Sequence, residues 1–231
     1  MCSVAGITVG VVFGTVQKAG GAAAFDVVCL AASLGGVSAY LEILAALPDT
    51  FPAAVVLVQH RPVRERDSLA RVLGYRSALP VRTLEDGDRL TGGVVYVVPA
   101  GHAASFTSEG KAALYPVTGH DEADQVFASA AAAFGPRLLA AVLTGRMDDG
   151  ALGVRHVRGA GGRVLAQDLA TSEAFGMPRA AIATGCVDFV LPLPVLAHAL
   201  VSLVMVPGAA GLMRVSLPPW ATVIPPTAAA G

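Results

Sequence analysis

Charge is what this 231-residue chain has least of, with 14% of its residues Asp, Glu, Lys or Arg against roughly a quarter in an ordinary soluble domain. Sixteen Lys+Arg oppose 17 Asp+Glu for a net charge of -1, so no long-range field gathers phosphates, and a nucleic-acid partner is not expected. Cysteine is scarce as well. Cys2, Cys29 and Cys186 are odd in number and lack a CxxC spacing, which excludes a disulfide framework and a cysteine-based zinc site and fits a reducing cytoplasm. The apolar stretch from Val4 to Val16 is short, broken by Gly and Thr, and has no basic flank. It is neither a signal peptide nor a membrane span. No GxxxxGK[ST] occurs, and no GxGxxG opens a helix after a strand, so nucleotide binding is not expected.

What the chain does have is apolar residues, 54% of the total, many of them Ala, together with 26 Gly. Such small side chains close-pack backbone rather than span lipid, and the length suits one domain. From Phe25 onward, short apolar runs alternate with amphipathic segments, the pattern of an α/β fold around a parallel sheet. Strands are predicted at 25–32, 54–59, 94–98, 138–143, 163–166 and 187–191, and helices at 36–46, 63–73, 121–134, 149–160 and 194–204. The run 80–116, with its TLEDGD and LTGG clusters, reads as turns and antiparallel hairpins inserted beside the sheet. Residues 1–24 form an N-terminal extension, 25–205 the domain proper, and 206–231 a Pro- and Ala-rich tail expected to be disordered.

Three strand ends carry candidate chemistry. AASLGG at 31–36 places Ser33 between an apolar strand and a helix opened by two glycines. This is the shape of a nucleophile elbow, with backbone N–H groups from Leu34 onward facing a developing oxyanion; a phosphate-binding βα turn has the same shape. His60 ends the second strand and stands on the same sheet edge as Ser33, as a base or as a hydrogen-bonded structural residue. LTGRMDDG at 143–150 supplies Asp149, preferred over Asp148, as a carboxylate able to hold the His60 tautomer, or else as a helix cap. Asp148 is then free to cap. His120 stands either at the rim of a site or at a helix start. Arg61, Arg64, Arg66 and Arg71, interrupted by Glu65 and Asp67, read as a solvated helix face rather than a docking surface for acidic protein.

With these segments in view, residues 25–200 resemble the catalytic domain of the chemotaxis receptor methylesterases, the protein-glutamate methylesterase/protein-glutamine glutaminase family. The matching pieces occur in order: AASLGGVSAYLEILAALP, VLVQHRP, VYVVPAGH, LTGRMDDGALG and AQDLATSEAFGMPRAAIATGCVD. The resemblance implies a doubly wound, mostly parallel sheet with helices on both faces. It implies a serine hydrolase with Ser33 as nucleophile, His60 as general base and Asp149 as acid, with no metal or organic cofactor. Backbone donors at Leu34 and Arg146 would form the oxyanion hole. The implied substrates are γ-glutamyl methyl esters, and selected glutamines, on the cytoplasmic helices of methylated chemoreceptors or similar helical proteins.

Departures from the family pattern qualify that implication. The family has Gly-Ala-Ser-Thr-Gly-Gly where this chain has Ala31 and Leu34, and Thr-Gly-Met-Gly-x-Asp-Gly where it has Arg146 and Met147. A Gly position can require φ above zero, which is costly for methionine. Losing one oxyanion donor costs on the order of 100- to 1000-fold in turnover. The family's phosphorylatable receiver domain has no counterpart in the 24 residues before the first strand, so control in cis is expected to be absent. The domain then acts constitutively, answers to a separate regulatory protein, or serves another pathway. Two other readings stay open: a non-catalytic interaction domain, and an esterase for small esters.

Overall fold

Runs of β-branched and small residues form the strands, because such side chains fit the pleated surface between two covering layers. In the computed structural model, which describes residues 25–63, 67–206 and 208–209, β1 (Val27–Ala32) is buried at every position. Beside it lie β2 (Ala54–Gln59) and β7 (Leu138–Val142). The other strands are β3 (Val81–Thr83), β4 (Val95–Val97), β5 (His102–Phe106), β6 (Ala112–Pro116), β8 (Arg163–Gln167) and β9 (Phe189–Leu191). Seven of them make one parallel sheet in the order β3-β4-β2-β1-β7-β8-β9. β5 and β6 pair antiparallel as a separate hairpin.

Alternation along the strands divides the core into two layers. Val28, Leu30 and Val55 pack with Tyr40, Ile43 and Leu44 of α1 (Gly36–Ala46) and Leu196 and Leu200 of α6 (Leu193–Met205). Val27, Cys29 and Ala31 face Phe127 of α3 (Glu122–Phe134), Val154 of α4 (Ala151–Gly159) and Ala181 of α5 (Gly176–Ala183). The helices therefore cover both faces, as expected of a doubly wound fold. Burial pushes the Cys29 thiol up, which leaves it unionised and unreactive at neutral pH. Among the described residues no helix is long and apolar enough to cross a membrane.

Four local expectations are corrected. Val81–Thr83 is a parallel edge strand of the main sheet, not part of an antiparallel hairpin, because α2 crosses over to return the chain in the same sense. That helix, α2 (Leu69–Gly74), begins later than residue 63, since the Asp67 carboxylate accepts the Leu69 N–H at 3.2 Å and sets its start. Arg61 is not on a solvated helix face: its guanidinium pairs with Asp67 and donates to the carbonyls of Val98 (2.9 Å) and Gln59 (3.0 Å), clamping the β2 and β4 ends together. Asp148 does not cap α4, whose first turn opens on Gly150 at φ 93°. Arg64, Glu65 and Arg66, the 1–24 extension and nearly all of the 206–231 tail lie outside the described residues.

The strand order reverses at β1, whose successor lies on one side and β7 on the other. The crevice outside the carboxyl ends of these strands is the topological switch point, where ligands bind in open α/β sheets. The ends of β1, β2 and β7 carry Ser33, His60 and the loop 143–150.

Candidate active site

Ser33 is held by backbone on both sides. Its N–H donates to Thr144 O at 3.0 Å, and its carbonyl accepts from Gly36 N–H at 3.0 Å and, more weakly, from Gln59 Nε2 at 3.4 Å. The turn that follows needs both glycines. Gly35 has φ 80°, and a Cβ there would stand 2.8 Å from Glu173, while one on Gly36 would stand 2.7 Å from Ala32 Cβ. Ser33 is thereby forced to sit directly at the opening of α1, with its side chain half-buried.

The loop after β7 is equally constrained. A Cβ on Gly145 would lie 2.1 Å from Met177 Sδ and 3.0 Å from Ser33 Cβ, and one on Gly176 would lie 2.7 Å from Met147 N. Backbone bonds from Gly145 N–H to Ala174 O (2.8 Å) and from Met177 N–H to Gly145 O (2.9 Å) draw the segments together. This accounts for the GMP of residues 176–178: glycine for the approach, methionine to fill the space beneath Ser33, proline in the first turn of α5. Met147 has φ 64°, the left-handed region. The strain anticipated for a methionine at that position is present. Its side chain is 63% exposed and contributes little packing, whereas the left-handed backbone costs a Cβ-bearing residue about 1–2 kcal/mol. Met147→Gly is expected to stabilise the fold by roughly 0.5–1 kcal/mol once the looser unfolded chain is counted, read as a rise in the urea midpoint at constant m.

Ser33, His60, His120, Arg146, Met147, Asp149 and Met177 line one cavity of about 190 Å³. Three strand ends thus meet, and His120 stands on the cavity wall. The expected bond between His60 and Asp149 is not among those made. His60 Nδ1 lies 3.1 and 3.2 Å from the two carboxylate oxygens of Glu122 and 3.4 Å from His120 Nδ1. Asp149 instead accepts the backbone N–H groups of Ala123 and Asp124, each at 3.0 Å, satisfying donors that the first turn of α3 leaves without intrahelical partners. It caps a helix, though not the one it precedes. The backbone N–H groups of Leu34 and Arg146 donate to no group among the described residues. No cluster of three or more His, Cys, Asp or Glu among them is placed to hold a metal.

Burial raises the Asp149 carboxyl to about 7, against the lowering effect of the two N–H donors, with Asp124 and Glu122 adding negative charge nearby. A folded value above the ordinary 3.8 means that folding resists ionisation. The stabilisation from this group is therefore complete below about pH 4 and is lost as pH rises through about 7. The advantage of wild type over Asp149→Asn is expected to shrink by on the order of 4 kcal/mol between pH 4 and pH 8. Urea melts of both proteins across that range measure it.

Met177, which lines the cavity, and Glu122, which meets His60 from behind it, are the site residues that sequence reasoning passed over. The available signal for Glu122 was an acidic pair, Asp121 and Glu122, immediately after His120. An acidic first turn is so common at helix starts that it marks no site by itself.

A seryl hydroxyl, an imidazole and buried carboxylates at the switch point of a doubly wound parallel sheet define a class, the α/β domain with a Ser–His–carboxylate site. Residues 28–200 match the family model described as CheB methylesterase, and the chain belongs to that family. It is 40% identical over 78% of its length to a protein-glutamate methylesterase/protein-glutamine glutaminase of Moorella thermoacetica, covering 44% of that protein. It is 41% identical over 76% of its length to one of Myxococcus xanthus, covering 51%. The solved CheB methylesterase catalytic domain of Thermotoga maritima superposes with a TM-score of 0.72 at 33% identity, covering 78% of this chain and 99% of that one. The chain spans about half the length of the curated relatives it matches.

Proposed function

We propose that the domain is a serine hydrolase of the protein-glutamate methylesterase kind, with Ser33 as nucleophile and His60 as general base. The observation that carries this reading is the single cavity into which the ends of β1, β2 and β7 bring Ser33, His60 and the 143–150 loop. Ser33 Oγ attacks the carbonyl of a γ-glutamyl methyl ester while His60 takes its proton; methanol leaves with that proton; water activated by His60 then cleaves the acyl-enzyme. The unengaged N–H groups of Leu34 and Arg146 stabilise the oxyanion, and because both are backbone donors the Leu34 and Arg146 side chains leave them in place.

Asp149, the acid of the family motif, serves this site from the cavity wall, where it holds the start of α3. The substrate is a methylated helical segment of a chemoreceptor-like protein in the cytoplasm, with deamidation of glutamine following the same acyl-enzyme route and ammonia leaving in place of methanol. The test is methanol release from a methylated receptor fragment by wild type and Ser33→Ala; release by both at one rate overturns the reading. Fluorophosphonate labelling separates it from a non-catalytic interaction domain, which would not react, and a panel of small esters separates it from a general esterase.

A further inference from the structure

Glu122 is a carboxylate in an unusual position. As the first residue of α3 it could turn to water, yet it is 4% exposed, and both of its oxygens face His60 Nδ1 at 3.1 and 3.2 Å. Burying a carboxylate is costly unless a donor or a charge compensates. Here the compensation comes from the His60 ring and from the amino end of α3, whose dipole favours negative charge.

We propose that Glu122 is the positioning residue of this site: its carboxylate keeps the proton on His60 Nδ1, leaving the Nε2 lone pair for the hydroxyl of Ser33. The proposal rests on the reading of Ser33 and His60 as nucleophile and base. A general base must present an unprotonated nitrogen to its proton donor, and in a neutral imidazole the hydrogen bond made by one nitrogen decides the state of the other. The groups around His60 are Glu122 and His120 in direct contact, and Asp149 and Arg146 on the cavity wall. His120 packs edge-on, ring centroids 4.3 Å apart at 75°. Its Nδ1, 3.4 Å away, is a poorer acceptor than a carboxylate at 3.1 Å.

Asp149 makes no bond to His60; its oxygens accept from Ala123 and Asp124, the two residues following Glu122. Its hold on those N–H groups fixes the backbone from which Glu122 reaches His60. The two carboxylates thus act in series, one on the ring and one on the helix that carries the first.

The test uses the full chain with three readouts: the ¹⁵N shifts of the neutral His60 ring, the rate of fluorophosphonate labelling at Ser33, and the melting temperature. Wild type is expected to show the Nδ1–H tautomer. Glu122→Leu, which removes the acceptor but fills the buried space, is expected to show the Nε2–H tautomer and to label more slowly by on the order of 10³-fold. Glu122→Asp, retaining the charge one methylene short, keeps part of the rate. Asp149→Asn is expected to lower the melting temperature with the wild-type tautomer retained. A wild-type ring in the Nε2–H form overturns the proposal whether or not any variant folds, as does a tautomer switch in Asp149→Asn but not in Glu122→Leu. Labelling that needs His60 but is indifferent to Glu122 overturns this proposal alone; labelling indifferent to His60→Gln defeats the hydrolase reading beneath it.

Discussion

Replacing Ser33 by alanine is expected to abolish methanol release and fluorophosphonate labelling, a loss on the order of 10⁶-fold in turnover, with the unfolding free energy in urea melts within about 0.5 kcal/mol of wild type. The contrast follows from how Ser33 is held. Its position depends on backbone bonds with Thr144 and Gly36, which alanine keeps, whereas Oγ bonds to nothing among the described residues. The companion variant should be His60→Gln rather than His60→Ala. Alanine would strand the Glu122 carboxylate in a buried site and cost about 3–5 kcal/mol, confusing folding with chemistry; glutamine keeps an N–H donor for it. Ser33→Ala combined with His60→Gln is expected to be no slower than either alone, since the two act as one unit. Additive losses would argue that the residues work separately.

The second large effect is expected at Gly145. Any side chain there meets Met177 Sδ at 2.1 Å and Ser33 Cβ at 3.0 Å, so Gly145→Ala must displace the Met177 side chain and press on Ser33. Overpacking of this kind costs about 1–3 kcal/mol, and the group pressed upon is the nucleophile. A displacement of about 1 Å can cost on the order of 100-fold in rate, so labelling should fall further than stability alone explains. Met177→Ala removes the nearer obstacle, and Gly145→Ala/Met177→Ala should recover a large part of the stability. Independent, additive destabilisation by the two changes would show that the clash is not the cause.

The sheet was readable because its signal is local. In VVCLAA every position is buried, and in AVVLVQ every position but the terminal Gln59; continuous apolar runs of that kind suit central parallel strands flanked by helices. The reading failed where the local signal was thin. Val81–Thr83 has only three residues and lies among turn formers, and its place in the main sheet comes from pairing with β4. The helix α5 was hidden within GMPRAAIA, whose Gly and Pro argue against a helix until Gly176 is seen to be needed for contact with the 146–147 turn. Met147 was the opposite case: the family comparison of motifs identified a position demanding φ above zero, and the backbone has φ 64° there.

From the order of residues alone come the α/β class, the strand ends at Ser33 and His60, and the glycines that shape the turns, because each depends on neighbours within a few positions. The choice of carboxylate for His60 does not. Glu122 lies 62 residues from His60 and Asp149 lies 26 from Ala123, so which acid reaches the imidazole and which secures a helix start is decided by how α3 lies across the sheet edge. That placement is set by packing of Val126 and Phe127 against the core, a global balance of shape that no short window of sequence contains.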